Sequence, residues 1–164
     1  MVKMYRKQKN EEDVRYILDN LRKYDAEELK AIHGEDFKEK VFAQIMETDF
    51  DVLVGVSKNG DVPVCMGGAW HLDKDGDGTV VVWLLCTDHI KEHKHCLLRE
   101  LKKEFDKYDE KYWFLYNFIY AKNTLAKLWL KKFGFKFMIP VNANIPKGFE
   151  LFYRIRKCKG LLED

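Results

Sequence analysis

The segment that most constrains this chain is Thr79 to Cys86, where Val80, Val81, Val82, Trp83, Leu84 and Leu85 follow one another without a charge. It is far too short to cross a bilayer, and it reads as a strand buried on both faces. A long amphipathic helix comes next, with Leu97, Leu98, Leu101, Phe105 and Tyr108 on one side and Lys and Glu opposite. Tyr112 to Ala121 is aromatic and apolar again, a second buried strand. Strand, helix and strand in that order form a crossover unit, which implies locally parallel pairing.

The flanking segments are simpler. Val2 to Lys7 is a short first strand. Asn10 reads as a helix N-cap, with Glu11, Glu12 and Asp13 in the first turn, where the helix dipole favours anions. Val14, Ile17, Leu18 and Leu21 make one apolar face, which Leu29 and Ile32 extend until Gly34 ends the helix. Asp36 caps a second helix carrying Phe37, Val41, Phe42, Ile45 and Met46. Asp51 to Ser57 then alternates, Asn59-Gly60 is a strong hairpin signal, and Val62 to Leu72 is the returning strand. Asp73 to Gly78 is a polar turn. It imitates the opening of a calcium loop, but the twelfth position, which needs a bidentate carboxylate, is Leu84. Asn123-Thr124 opens a helix bearing Leu125, Leu128, Trp129 and Phe133, closed by Gly134. Phe135 to Ile139 and Phe149 to Arg156 are the last strands, separated by a loop with Pro140 and Pro146. The predicted order is β-α-α-β-β-β-α-β-α-β-β over residues 1–164, a single α/β (α+β) domain. Its sheet is mixed and mostly antiparallel, with six to seven strands, a central parallel pair and helices on both faces.

Charge narrows the function classes. Lys and Arg number 29 against 27 Asp and Glu, so no general drive toward nucleic acid or an anionic membrane exists. The basic residues Arg154, Arg156, Lys157 and Lys159 read as a solvated edge and tail. The first ten residues lack the apolar core of a secretory signal, and Cys65, Cys86, Cys96 and Cys158 have no paired spacing, so reduced thiols in a cytoplasmic protein are expected. His89, His93, His95 and Cys96 are dense, yet no second Cys/His pair stands at a ligand spacing, and a basic loop at a helix start is the better reading.

The element order resembles the GNAT acyltransferase fold over nearly the whole chain. Asn123-x-x-Ala126 followed by Lys131-Lys-Phe-Gly134-Phe135 is similar to that family's Asn, short helix and Gly-Phe. Trp83 to Asp88, Lys111 to Asn117 and Asn123 to Gly134 also resemble a diverged GNAT-like group encoded by bacteriophages, which includes the small internal virion protein of short-tailed phages. The resemblance implies transfer of an acetyl or other acyl group from acetyl-CoA to an amine of a small molecule or protein. A phage relative implies host cytoplasm or the virion as its location. The alternative is an inactive protein that keeps the fold for virion assembly, DNA ejection or host-protein binding.

In this family the cofactor lies between two splayed parallel strands, with its pyrophosphate on backbone N–H groups opening the next helix. By resemblance Leu85, Cys86 and Thr87 supply the strand edge here. The family's glycine-bearing phosphate loop is replaced by His89-Ile-Lys-Glu-His-Lys-His-Cys96, so Lys91 and Lys94 are expected to supply charge instead. Asn123 either binds cofactor or caps its helix. The family's tyrosine acid, seven positions after the Asn, is Leu130 here. Water, Tyr116, Tyr120 or Cys86 is left to protonate the thiolate. His71, Asp88 and His89 are the candidates for general base. Each also has a plainer reading: Asp88 as a helix N-cap, His71 as a surface residue at a strand end. Asn117, inside an aromatic strand, is expected to satisfy a buried backbone group.

Overall fold

The structure, a computed structural model, describes residues 2–71, 76, 78–141 and 144–156. Along the chain run β1 (Lys3–Gln8), α1 (Glu11–Asp19), α2 (Lys23–His33), α3 (Phe37–Met46), β2 (Asp51–Val56), β3 (Val62–Trp70) and β4 (Thr79–Cys86). Then come α4 (Ile90–Lys111), β5 (Phe114–Tyr120), α5 (Thr124–Lys132), β6 (Lys136–Met138) and β7 (Phe149–Ile155). The strands form one sheet of seven in the order β1-β2-β3-β4-β5-β7-β6. Only β4 and β5 pair in parallel, as the crossover unit requires.

Strand alternation sends the core to two faces. Val52, Val54, Met66 and Leu85 pack against Val14, Ile17 and Leu18 of α1 and Val41 and Ile45 of α3. The intervening Leu53, Cys65 and Cys86, with Val64, meet Ile90 and Leu97 of α4 and Trp129 of α5. A third cluster joins Phe105 of α4 to Val80, Val82, Leu115, Ile119, Phe135 and Phe152. Each fully buried Val, Leu, Ile, Met or Phe among them stabilises the fold by about 1.5–3 kcal/mol.

Several expectations are corrected. The first helix does not run on to Gly34. Asn20 ends α1, its N–H reaching the Tyr16 and Ile17 carbonyls, both at 3.1 Å. Leu21 bridges Thr87, and α2 starts afresh at Lys23. Leu21 therefore stands at helical spacing but lies between the two helices, in an isolated bridge to the residue after β4. Asp36 occupies the cap position of α3 without capping it: its carboxylate accepts from Lys40 Nζ at 2.9 Å. Asp88 is likewise no side-chain cap; it is exposed and pairs with Lys91 at 3.1 Å, and His89 holds the cap position. The returning strand ends at Trp70. Most of the predicted Asp73–Gly78 turn, with Leu72, lies outside the described residues, as do Lys157, Cys158 and Lys159. Asn10 does cap α1, accepting from Asp13 N–H at 2.9 Å. Gly134 closes α5 at φ 81°, a left-handed turn that a side chain would strain. Among the described residues no helix is long and apolar enough to cross a membrane.

Candidate active site

β4 and β5 are paired only at Thr79–Phe114, Val80–Leu115 and Val81–Tyr116. Beyond that they separate. Thr87 N–H donates to Val64 C=O across β3, so by alternation the peptides of Val82, Leu84 and Cys86 face the other way, toward β5. Val82 C=O accepts from Asn117 Nδ2 at 2.9 Å. Cys86 N–H donates to Asp25 Oδ2 at 2.9 Å, and Cys86 C=O accepts from Arg22 N–H at 2.9 Å. On the opposite strand, Tyr120 N–H donates to Glu28 Oε1 at 3.0 Å. The start of α2 and the residue before it thus sit across the wide end, where the Asp25 and Glu28 carboxylates and the Arg22 N–H take backbone groups that a closed ladder would use. The Leu84 peptide, midway, faces the opening beyond the last ladder pair.

These contacts gather four polar side chains. Asn123 is 2% exposed; its Nδ2 donates to Glu28 Oε1 at 3.2 Å, and its Oδ1 accepts from Arg22 Nη2 at 3.5 Å. Burial pushes the Glu28 carboxyl up to about 7, against the hydrogen bonds from Asn123 and Tyr120, and the charge of Asp25 adds to the rise. Burial raises Asp25 to about 6, opposed by the Arg22 guanidinium and the Cys86 N–H. Glu28 is the less buried of the two carboxylates. A cavity of about 720 Å³ adjoins them, lined from one face of the sheet by Asp25, Glu28 and Leu29 and from the other by Leu101, Phe105 and Leu130. It reaches both faces of the sheet, and Val82, Leu84 and Asn117 beside the opening line it. Trp83 lines it too, and its buried Nε1–H has no partner among the described residues.

The predicted site residues divide. Cys86 and Asn123 lie in the cluster, and Tyr120 enters it through its peptide N–H, while its ring leans on Phe149. Leu85 packs into the α1–α3 core, and Thr87 spends its N–H and Oγ1 on Val64 C=O. His71 is exposed at the closed end of the parallel pair, with Nε2 2.8 Å from the Tyr112 hydroxyl. Asp88 points to Lys91, and His89 Nε2 lies 3.1 Å from the Tyr16 hydroxyl. Tyr116 stays in the paired part of β5. The Cys86 thiol is raised by its hydrogen bond with Cys65 and by burial. Lys91 and Lys94 are exposed on the first turns of α4. There Ile90, Lys91 and Glu92 donate their N–H groups to the carbonyls of Thr87, Asp88 and His89, each at 3.2 Å. The first-turn amides that usually hold phosphate are therefore internally bonded. Asn117 satisfies buried backbone, as its place in the strand suggested. Arg22, Asp25 and Glu28 were not anticipated: on sequence they look like the solvated side of a helix, and only their partners reveal them.

A seven-stranded mixed sheet with a parallel central pair that opens, joined by a crossover helix, is the fold of the GNAT acetyltransferases. Solved structures similar to this chain include an acetyltransferase from Streptococcus agalactiae 2603, at 14% identity and TM-score 0.62, covering 94% of this chain and 98% of that one. A GCN5-related N-acetyltransferase from Kribbella flavida matches at 13% identity and TM-score 0.60, covering 93% and 97%. The yncA protein of Salmonella typhimurium, solved with its cofactor acetyl-CoA, matches at 15% identity and TM-score 0.56, covering 98% of each chain. No protein-family model matches the chain, and no curated protein matches it in sequence.

Proposed function

We propose that this protein is an N-acyltransferase that moves an acetyl or other acyl group from acyl-CoA to an amine. The observation that carries this is the opening between β4 and β5, with a cavity beside it that Leu84 and the Glu28 carboxyl line. The opening suits a thin, amide-bearing arm: the Leu84 N–H and C=O face it, and Trp83 Nε1–H is a donor without a partner among the described residues. Asn123 stands beside it, and Lys91 and Lys94 supply charge for phosphates in place of the internally bonded helix amides. Acyl-CoA contributes the activated thioester. Glu28, with a pKa raised to about 7, is matched to taking a proton from an ammonium near neutral pH. Arg22 keeps a positive charge beside the two carboxylates, which limits the cost of ionising Glu28.

A second reading is the inactive form, in which a phage protein keeps the fold for assembly or host-protein binding. It is favoured by α2 occupying both gap-facing groups of Cys86 and by the spent amides of α4. Titration with acetyl-CoA in a thermal-shift assay separates the two. Ligand at a hundredfold excess over Kd is expected to stabilise the folded protein by about 2.7 kcal/mol. Release of free thiol in the presence of a panel of amines then reports transfer. An unchanged melting temperature at millimolar acetyl-CoA would transfer the assignment to the second reading.

A further inference from the structure

We infer that Asn117 is a positioning residue: its carboxamide is the wedge that keeps β4 and β5 apart at the narrow end of the opening. The inference deepens the acyltransferase reading for the use of the gap, but the wedge itself stands on backbone geometry. The parallel register runs Val80–Leu115 and Val81–Tyr116, so its continuation would set Val82 beside Asn117. In a parallel ladder a residue bonds to the two neighbours of its partner, so the next rung would be Phe118 N–H donating to Val82 C=O. That rung is interrupted. Phe118 N–H donates to Asn117 Oδ1 at 2.7 Å, and Asn117 Nδ2 donates to Val82 C=O at 2.9 Å. One side-chain amide has been inserted between the two groups, acceptor to the donor and donor to the acceptor.

The insertion explains how the strands begin to part without leaving Phe118 N–H and Val82 C=O unpaired. A buried peptide group left unpaired costs free energy, so a splay in a sheet interior needs substitutes for the broken rungs. Asn117 supplies them at the narrow end, and Asp25, Arg22 N–H and Glu28 supply them at the wide end. A side chain without a donor and an acceptor at position 117 leaves Phe118 N–H and Val82 C=O free to pair with each other, as the register aligns them.

The test is Asn117→Val, with Asn117→Ala as a second closing variant and Asn117→Asp as the control. Isotope-labelled full-length protein without ligand is examined by NMR for the coupling transmitted through a hydrogen bond from Phe118 N to Val82 C′. The coupling is expected to be absent in the wild-type protein and present in the folded Val or Ala variant. It is expected to stay absent in Asn117→Asp, whose carboxylate keeps the bulk and repels the Val82 carbonyl. A folded Val or Ala variant without the coupling, or an Asp variant showing it, overturns the inference. Acetyl-CoA titration of the same proteins is the second readout. The closing variants are expected to bind at least tenfold more weakly while their melting temperatures stay within a few degrees of wild type. Closure without weakened binding refutes the use of the gap by acyl-CoA and leaves the wedge standing. A wild-type protein that does not bind acetyl-CoA refutes the acyltransferase reading, and the coupling still decides the role of Asn117.

Discussion

Glu28 should be held in place at a cost, and the cost can be measured. Its pKa is raised from 4.5 to about 7, chiefly by burial. At 1.36 kcal/mol per unit, ionising it in the folded protein costs about 3 kcal/mol more than in the unfolded chain. The folded state binds this proton more tightly, so the contribution of Glu28 to stability is greatest below pH 4.5, falls as pH rises and is flat again above about 7. Glu28→Gln removes the charge but keeps an oxygen that can accept from Tyr120 N–H and Asn123 Nδ2. Urea melts at two pH values isolate the effect. At pH 8 the glutamine variant is expected to gain up to about 3 kcal/mol over wild type, and at pH 5 less than about 1 kcal/mol. Acyl transfer by the same variant should fall by about 10² to 10⁴, the usual worth of a general base. A stability difference that is the same at both pH values would falsify the claim that the carboxylate is strained. Greater stability at pH 8 with undiminished turnover would leave the strain intact and take Glu28 out of the chemistry.

Two further outcomes are expected. Gly55→Ala should cost about 1–3 kcal/mol in urea melts, because a Cβ there would collide with the imidazole of His93, which is 4% exposed and whose Nε2 has no partner among the described residues. In a His93→Ala background the same glycine substitution should cost much less, and equal costs in both backgrounds would remove the clash as the cause. Replacing Lys91 and Lys94 together by alanine should weaken acetyl-CoA binding roughly fivefold, about 1 kcal/mol for two exposed charges, with most of it from Lys94 because Lys91 already faces Asp88. The wild-type affinity should fall with added salt and the variant's much less; a salt dependence shared equally by both proteins would send the phosphates elsewhere.

The legible and illegible parts of this chain divide on physical grounds. The crossover unit was legible because burying a strand on both faces demands an apolar run, and Thr79–Cys86 and Phe114–Tyr120 supply two such runs around an amphipathic helix. The break between α1 and α2 was not, because Leu21 keeps helical spacing while its bridge is to Thr87, 66 positions away and just past the end of β4. The carboxylates failed to stand out for a related reason. Asp25 and Glu28 sit three apart on a helix with Lys23, Glu27 and Lys30, a pattern that any exposed face would show. What distinguishes them is that they accept from Cys86 N–H and Tyr120 N–H, two main-chain donors on different strands. Every residue but proline carries such a donor, so no residue type marks the ones a splay will leave unpaired. Asn117 was partly visible because a carboxamide amid Phe114, Tyr116, Phe118 and Ile119 must find partners once buried. That much follows from composition. That its partners are the two halves of one missing rung follows only from the register, and the register is set by where β4 stops pairing, which is where Asn117 stands.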